Sequence, residues 1–277
     1  MSQAPVDDLL ALLDLEPIEQ NLFRGQSPDE KRQRVFGGQV AGQALVAATR
    51  TVEHGLVHSL HAYFLRPGDP TIPIVYEVER IRDGRSFTTR RVVAIQHGQA
   101  IFHLSASFHG PEQGLEHQST QPADLPSPES LPTFQERNLE HREQLGEWYT
   151  RPRPIDTRVV PSNDGDLEHF IWMRADGELP DDIVVHQCVL TYASDMTLLD
   201  NVIRPHGLTF MDGTVMMASL DHAMWFHRPF RADEWFLYAQ DTPTASGARG
   251  LARGQIYQNG QLVVSVVQEG LVRELSR

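Results

Sequence analysis

An internal repeat constrains the fold of this chain more than any other feature. Ile95-Gln96-His97-Gly98-Gln99 matches Tyr257-Gln258-Asn259-Gly260-Gln261 at an offset of 162 residues, and Arg66-Pro67 and Arg228-Pro229 hold the same offset. Around the second match, Leu60-His61-Ala62-Tyr63-Phe64-Leu65-Arg66-Pro67 resembles Asp221-His222-Ala223-Met224-Trp225-Phe226-His227-Arg228-Pro229 with one residue inserted. Matches that keep one spacing and one order mean two copies of one module, and a repeat decides architecture before any local pattern does. A chain of 277 residues accommodates two units of about 100 to 150 residues each.

Between the copies, the stretch from Gly110 to Pro132 carries Pro111, Pro122, Pro126, Pro128 and Pro132 among Glu, Gln and Ser. It reads as a linker, followed by a helix over about 133–148. The expected division is an N-terminal module over 1–110, a linker with helix over 111–150, and a C-terminal module over 151–277. In each module a helical segment precedes a run of strands. The first helix spans Gly37 to Val52 and is apolar at Val40, Ala44, Leu45, Ala47 and Ala48; the second, about Asp182 to Ile203, is apolar nearly all round, as an enclosed helix must be.

Strand-length runs rich in Val, Ile, Phe and Tyr follow each helix. In the first copy they are Val57–Leu65, Ile72–Ile81, Ser86–Gln96 and Ala100–Phe108; in the second, Val215–His227, Trp235–Thr242, Ala248–Gln258 and Leu262–Val272. His97-Gly98 and Asn259-Gly260 separate paired runs, where a tight hairpin requires positive φ. The predicted class is therefore α+β: two antiparallel sheets, each wrapped around a long central helix.

Composition narrows the chemistry. With 24 basic against 37 acidic residues the net charge is −13, which repels polyanions and argues against nucleic acid as a partner. Lys31 is the only lysine, so Schiff-base and P-loop mechanisms have almost no residue to use. One cysteine, Cys188, excludes an intramolecular disulfide framework and reads as a small core residue. The N-terminus is acidic where a targeting peptide would be basic, the ending Glu-Leu-Ser-Arg differs from a Ser-Lys-Leu address, and no apolar run suffices for a membrane span. The expected location is cytoplasmic.

An antiparallel sheet curled around a central helix is the hotdog arrangement, and two in one chain make a double hotdog. Five separate motifs then resemble the acyl-CoA thioesterase II (TesB-type) family. They are Val35-Phe36-Gly37-Gly38-Gln39-Val40-Ala41-Gly42-Gln43-Ala44-Leu45, Tyr192-Ala193-Ser194-Asp195, Leu220 to Pro229, Ser246-Gly247-Ala248-Arg249-Gly250, and Val267-Gln268-Glu269-Gly270. The likeness spans about residues 15 to 273, and several motifs in order are far more specific than a lone glycine pattern. It implies hydrolysis of fatty acyl-CoA to a free acid and CoA-SH, with no cofactor, and favours a homo-oligomer.

A thioesterase must bring water or a nucleophile to a thioester carbonyl and stabilise the resulting oxyanion. No Gly-x-Ser-x-Gly elbow is present, which disfavours a serine route. Asp195, placed by helical spacing on one face with Cys188, Thr191, Leu199 and Val202, is an acid on an apolar surface; burial would raise its pKa and suit it to act on water. A hydrogen-bonded core aspartate would show the same pattern, and the family resemblance is what makes Asp195 catalytic. The resemblance likewise assigns Ser219, where the family commonly carries threonine, and Gln268 to the attacking water.

Gly37 and Gly38 could offer backbone N–H groups to substrate or simply permit close helix packing. Arg249 and Arg253 are candidates for the CoA phosphates, with solvated strand arginines as the alternative. His54, His58 and His61 have a superficially metal-like spacing, but in a strand such spacings put side chains on opposite faces, so no metal is expected. Aligning Phe36 with Tyr192 sets Gln39 against Asp195, and the 162 offset sets Ala106 against Gln268, so one catalytic site per chain is expected. Two rival readings remain: a hotdog hydratase or dehydratase, whose Asp and His pair is not evident here, and a non-enzymatic acyl-CoA-binding module.

Overall fold

The repeated strands of the two halves lie side by side. In the computed structural model, which describes residues 2–28, 33–163 and 165–275, β3 (Leu56–Phe64) pairs antiparallel with β10 (Asp221–Phe226), with Asp221 opposite Tyr63 and Trp225 opposite Ser59. Lys31 falls outside the described residues. The pairing joins what the repeat predicts as two sheets into a single antiparallel sheet of 13 strands. Each half would otherwise present a bare strand edge here, and edge-to-edge pairing satisfies both rows of backbone groups.

On one side of this seam the order runs outward through β6 (Gln99–His109), β5 (Phe87–Gln96), β4 (Ile74–Asp83), β2 (Leu22–Gly25) and β1 (Glu16–Glu19). On the other it runs through β13 (Gln261–Glu274), β12 (Arg249–Gln258), β11 (Phe236–Ser246), β8 (Glu168–Ala175) and β7 (Ile155–Val159), while β9 (Val215–Ser219) pairs with the far end of β13. The hairpin turns have the expected left-handed residues: His97 at φ 50°, Gly98 at 70°, Asn259 at 52° and Gly260 at 78°.

Two buried helices, α2 (Gly37–Thr49) and α6 (Ile183–Ser194), pack antiparallel against each other. The close approach depends on the small residues of α2: a Cβ on Gly38 would come within 2.3 Å of the Tyr192 carbonyl oxygen. The N-terminal α1 (Gln3–Leu13) covers α2 with Val6, Leu9 and Leu13, an element that the motifs did not announce.

Two helix expectations need correction. The segment predicted from Asp182 to Ile203 leaves α-helical geometry after Ser194: Asp195 is the C-cap, and a separate 3-10 turn covers Leu199–Val202. Ser194 turns its hydroxyl back onto the Thr191 carbonyl at 3.0 Å, the kind of local bond that competes with helix propagation. The helix expected over 133–148 is broken into α3 (Phe134–Arg137), α4 (Arg142–Leu145) and α5 (Glu147–Thr150). It starts as a capping box between Thr133 and Glu136, but Asn138 leaves helical geometry after α3, and Gly146 at φ 53° separates α4 from α5.

Candidate active site

The start of α2 has no side-chain cap, because its N-cap residue is Phe36. A helix begins with unpaired N–H groups and a positive dipole end. Here the partner comes from the other half of the chain: the Asp195 carboxylate accepts the Gly38 N–H. A Cβ on Gly37 would sit 2.7 Å from Asp195 Oδ2, so glycine at that position is what lets the carboxylate approach. The C-terminal end of α6 thus delivers an acid to the N-terminal end of α2.

Two further donors converge on the same carboxyl. Gln268 Nε2, from β13, donates to Asp195 Oδ1 at 2.5 Å, and Ser219 Oγ, from the end of β9, donates to the same oxygen at 3.2 Å. Ser219 lies opposite Gly270 in the ladder, two residues from Gln268, which brings both side chains to one region of the sheet. Gln268 is fully buried, and its Oε1 has no hydrogen-bond partner among the described residues. Its amide must face the acid with the NH₂ end, since an ionised carboxylate only accepts.

Burial pushes the Asp195 pKa up to about 6, opposed by the bonds from Gln268, Ser219 and Gly38. The site therefore holds an acid that is mostly ionised at neutral pH yet far more basic than an exposed aspartate. Beside it opens a cavity of about 760 Å³, lined by Phe36, Tyr192, Met196, Thr197, Phe210 and Asp200 among others. Sequence reasoning missed Asp200: its pKa rises to about 7 through burial and the charge of Asp195, with Arg204 acting in the opposite direction. The only signal available was a second acid shortly after the first.

Other predicted residues lie elsewhere. Arg249 and Arg253 alternate along β12 with buried Gly250, Ala252 and Gly254, so they occupy the outer face of the sheet. They pair there with Glu269 at 3.0 Å and Asp241 at 2.5 Å. His58 bonds Ser107 and His61 meets the Trp225 ring edge on, so the histidine triplet does not converge. Among the described residues, no three His, Cys, Asp or Glu side chains form a metal-sized group. His222 is a buried structural partner, 2.8 Å from Ser194 Oγ, and burial lowers its pKa to about 4. Burial also drives the Cys188 thiol up to about 12, which keeps it an inert core residue. His227 bonds Ser265 at 2.9 Å on the sheet.

The antiparallel helices also correct the alignment of the halves. Phe36 stands at the start of α2 and Tyr192 near the end of α6, where their rings meet edge on at 5.1 Å; they are neighbours across the site, not equivalents. The counterpart of Asp195 is the end of α2, at Arg50 and Thr51. Gln39 instead donates to Gln26 O and Ser27 Oγ. In the first half Ala106 faces Arg90 across the ladder, where the second half has Gln268 facing Ala252. The Arg90 side chain is only 1% exposed and bonds Thr51 through both Oγ1 and the carbonyl oxygen. That crevice is filled by an arginine and has no counterpart of the carboxylate.

An acid at the head of a buried helix, a buried glutamine and a hydroxyl thus meet between two antiparallel helices on one sheet. The family described as acyl-CoA thioesterase matches residues 140–271, and its N-terminal domain family matches residues 27–109. Acyl-CoA thioesterase 2 of Haemophilus influenzae is 42% identical, covering 97% of this chain and 98% of that protein. The crystal structure of acyl-CoA thioesterase II TesB2 from Mycobacterium marinum superposes with a TM-score of 0.81 at 44% identity, covering 97% of this chain and 98% of that one. A hotdog-fold protein of unknown function from Alicyclobacillus acidocaldarius shares the fold at 18% identity and a TM-score of 0.79, covering 97% and 99%. The chain belongs to the acyl-CoA thioesterase II family and is an acyl-CoA thioester hydrolase.

Proposed function

We propose that hydrolysis proceeds by general-base attack of water, with Asp195 as the base. The observation that supports this is the half-used amide of Gln268: Nε2 holds the carboxylate while buried Oε1 has no partner among the described residues. A water donating one O–H to that oxygen and the other to Asp195, beside the Ser219 hydroxyl, would present a lone pair to the thioester carbonyl. Asp195 takes its proton as the C–O bond forms. The tetrahedral oxyanion collapses, the C–S bond breaks, and the proton passes from Asp195 to the CoA thiolate. The head of α2 at Gly37 supplies a dipole and an N–H for the oxyanion; Gly38 serves by orienting the base. A carboxylate and two neutral side chains suffice for these steps, so no metal or cofactor is invoked.

The substrate of this reading is a fatty acyl-CoA whose chain enters the cavity beside Phe36 and Met196. Arg249 and Arg253 would meet the CoA phosphates only where the nucleotide passes over the outer face, exchanging their carboxylate partners. The architecture is read as a double hotdog, with modules over 1–110 and 151–277 and a linker over 111–150; the two family matches, over 27–109 and 140–271, leave 110–139 between them. Exposed His61 and Tyr63, beside Trp225 on the outer face, support a homo-oligomer. Among the described residues no helix is long and apolar enough to cross a membrane, in keeping with the proposed cytoplasmic location.

Single turnover of an acyl-CoA in ¹⁸O-water tests the mechanism. One ¹⁸O in the released acid, no covalent acyl-enzyme, and loss of turnover in Asp195→Asn support it. An acyl-enzyme trapped on a side chain would overturn it. Hydration of an enoyl-CoA without thiol release would instead support a hydratase.

A further inference from the structure

We infer that Asp200 is a specificity determinant that selects acyl groups carrying a hydroxyl partway along the chain. This rests on the acyl-CoA reading of the site. Beyond Asp195 the chain continues through a turn into the 3-10 segment Leu199–Val202. Leu199 and Val202 press onto the sheet, against the backbone at Gly270 and Gly250. Asp200, between them, turns the other way and lines the cavity with Phe36, Tyr192, Met196 and Phe210.

Among the described residues the Asp200 carboxyl makes no hydrogen bond and no ion pair. Arg204, the cation whose charge acts on it, donates to Ser162 Oγ at 2.5 Å. Half-buried Asp200 stands beside Phe36, Tyr192 and Met196 in a cavity whose wall also carries Arg137, Arg151, Arg153 and Gln39, and a ligand that displaces water from a carboxyl without protein partners carries a cost unless it supplies a donor. An apolar chain alone would leave it desolvated and unpaired. A site built to bond a substrate hydroxyl rejects the analogue lacking one much more strongly than an apolar pocket rejects a change in length.

The position of Asp200 sets where that hydroxyl should be. Five residues at a rise of about 1.5 to 2.0 Å place it roughly 8 to 10 Å beyond Asp195 along the segment. In an extended acyl chain this corresponds to roughly six to eight carbon–carbon bonds from the thioester carbonyl. The carboxyl would accept from the hydroxyl when ionised and donate to it when protonated, and burial brings both forms into the neutral range.

The test compares dodecanoyl-CoA with 8-hydroxydodecanoyl-CoA on the full chain. The expected kcat/KM ratio favours the hydroxylated ester by about tenfold or more. Asp200→Leu should collapse that ratio toward or below one, with Asp200→Ala as a second variant if the leucine protein does not fold. Asp200→Asn, which keeps a hydrogen-bonding group, should retain most of it. A wild-type ratio at or below one overturns the proposal, as does a ratio unchanged in the leucine or alanine variant. If neither ester is hydrolysed, the acyl-CoA reading itself fails; if both are hydrolysed at a ratio that Asp200 does not control, only the role of Asp200 fails.

Discussion

Gln268 Nε2 donates to Asp195 Oδ1 at 2.5 Å, across a sequence separation of 73 residues. A charge-assisted bond this short fixes the rotamer of the carboxylate. It also lowers the carboxyl pKa that burial raises, so the residue that aims the carboxylate helps to set its basicity.

Asp195→Asn keeps the shape and removes the basicity. Turnover of acyl-CoA should fall by roughly 10²-fold or more, the scale of general-base loss. Free-thiol detection on the purified variant measures this, and near wild-type turnover would remove Asp195 from the role of base.

Ser219→Ala and Gln268→Ala should each lower kcat more than they raise KM, because in the proposed mechanism both groups act on water and on Asp195 rather than on CoA. Steady-state kinetics decides it. A loss confined to KM would place them in substrate binding instead.

The pH profile follows from the same carboxyl. Asp195 must be ionised to accept a proton, so kcat/KM should rise with pH through about 6 and level off above. Gln268→Ala removes a donor to the ionised form and should move that limb to higher pH.

Stability has the opposite sign. The folded protein holds the Asp195 proton more tightly than an unfolded chain does, with pKa values of about 6 and 3.8. The favourable contribution of the protonated form is complete below about 3.8 and is lost as pH rises through about 6. Asparagine does not ionise. The melting temperature of Asp195→Asn relative to wild type should therefore be higher at pH 8 than at pH 4, and equal differences at both pH values would contradict a buried, titrating acid.

Arg90 tests the asymmetry of the halves. Its guanidinium fills the first crevice and bonds Thr51, Arg82 O and Thr89 O, with an ion pair to exposed Asp83. Arg90→Ala leaves buried acceptors without donors and should destabilise the fold by about 2–4 kcal/mol in denaturant unfolding. Counting bound substrate analogue should give one site per wild-type chain. Two equivalent hydrolytic sites, one surviving Asp195→Asn, would refute the single-site assignment.

Much of this was legible in the residues because local chemistry announced it. His97-Gly98 and Asn259-Gly260 need positive φ, and the small residues of Gly37–Thr49 suit a helix packed on every side. Asp195 stood out as an acid on an apolar face. What stayed hidden depends on tertiary contact. Nothing local shows that β3 would pair with its own repeat, so two sheets were expected where one forms. The alignment of Phe36 with Tyr192 followed a short likeness, whereas the antiparallel helices make them neighbours. Asp200 lacked a motif, and its significance lies in the direction of a 3-10 turn. Arg90 reads as one more strand arginine until its burial is seen.

The seam between β3 and β10 has one more consequence. The Asp195 carboxylate comes from the second half and the helix end that meets it from the first, and their alignment is set by strand pairing and helix contact across the seam, while the connector adds Phe134 and Trp148 to the cavity wall. On the proposed mechanism neither half alone contains a diluted form of the activity. Two separately expressed fragments that dock along this seam would regain turnover together, in proportion to the complex formed, and each would be silent without the other.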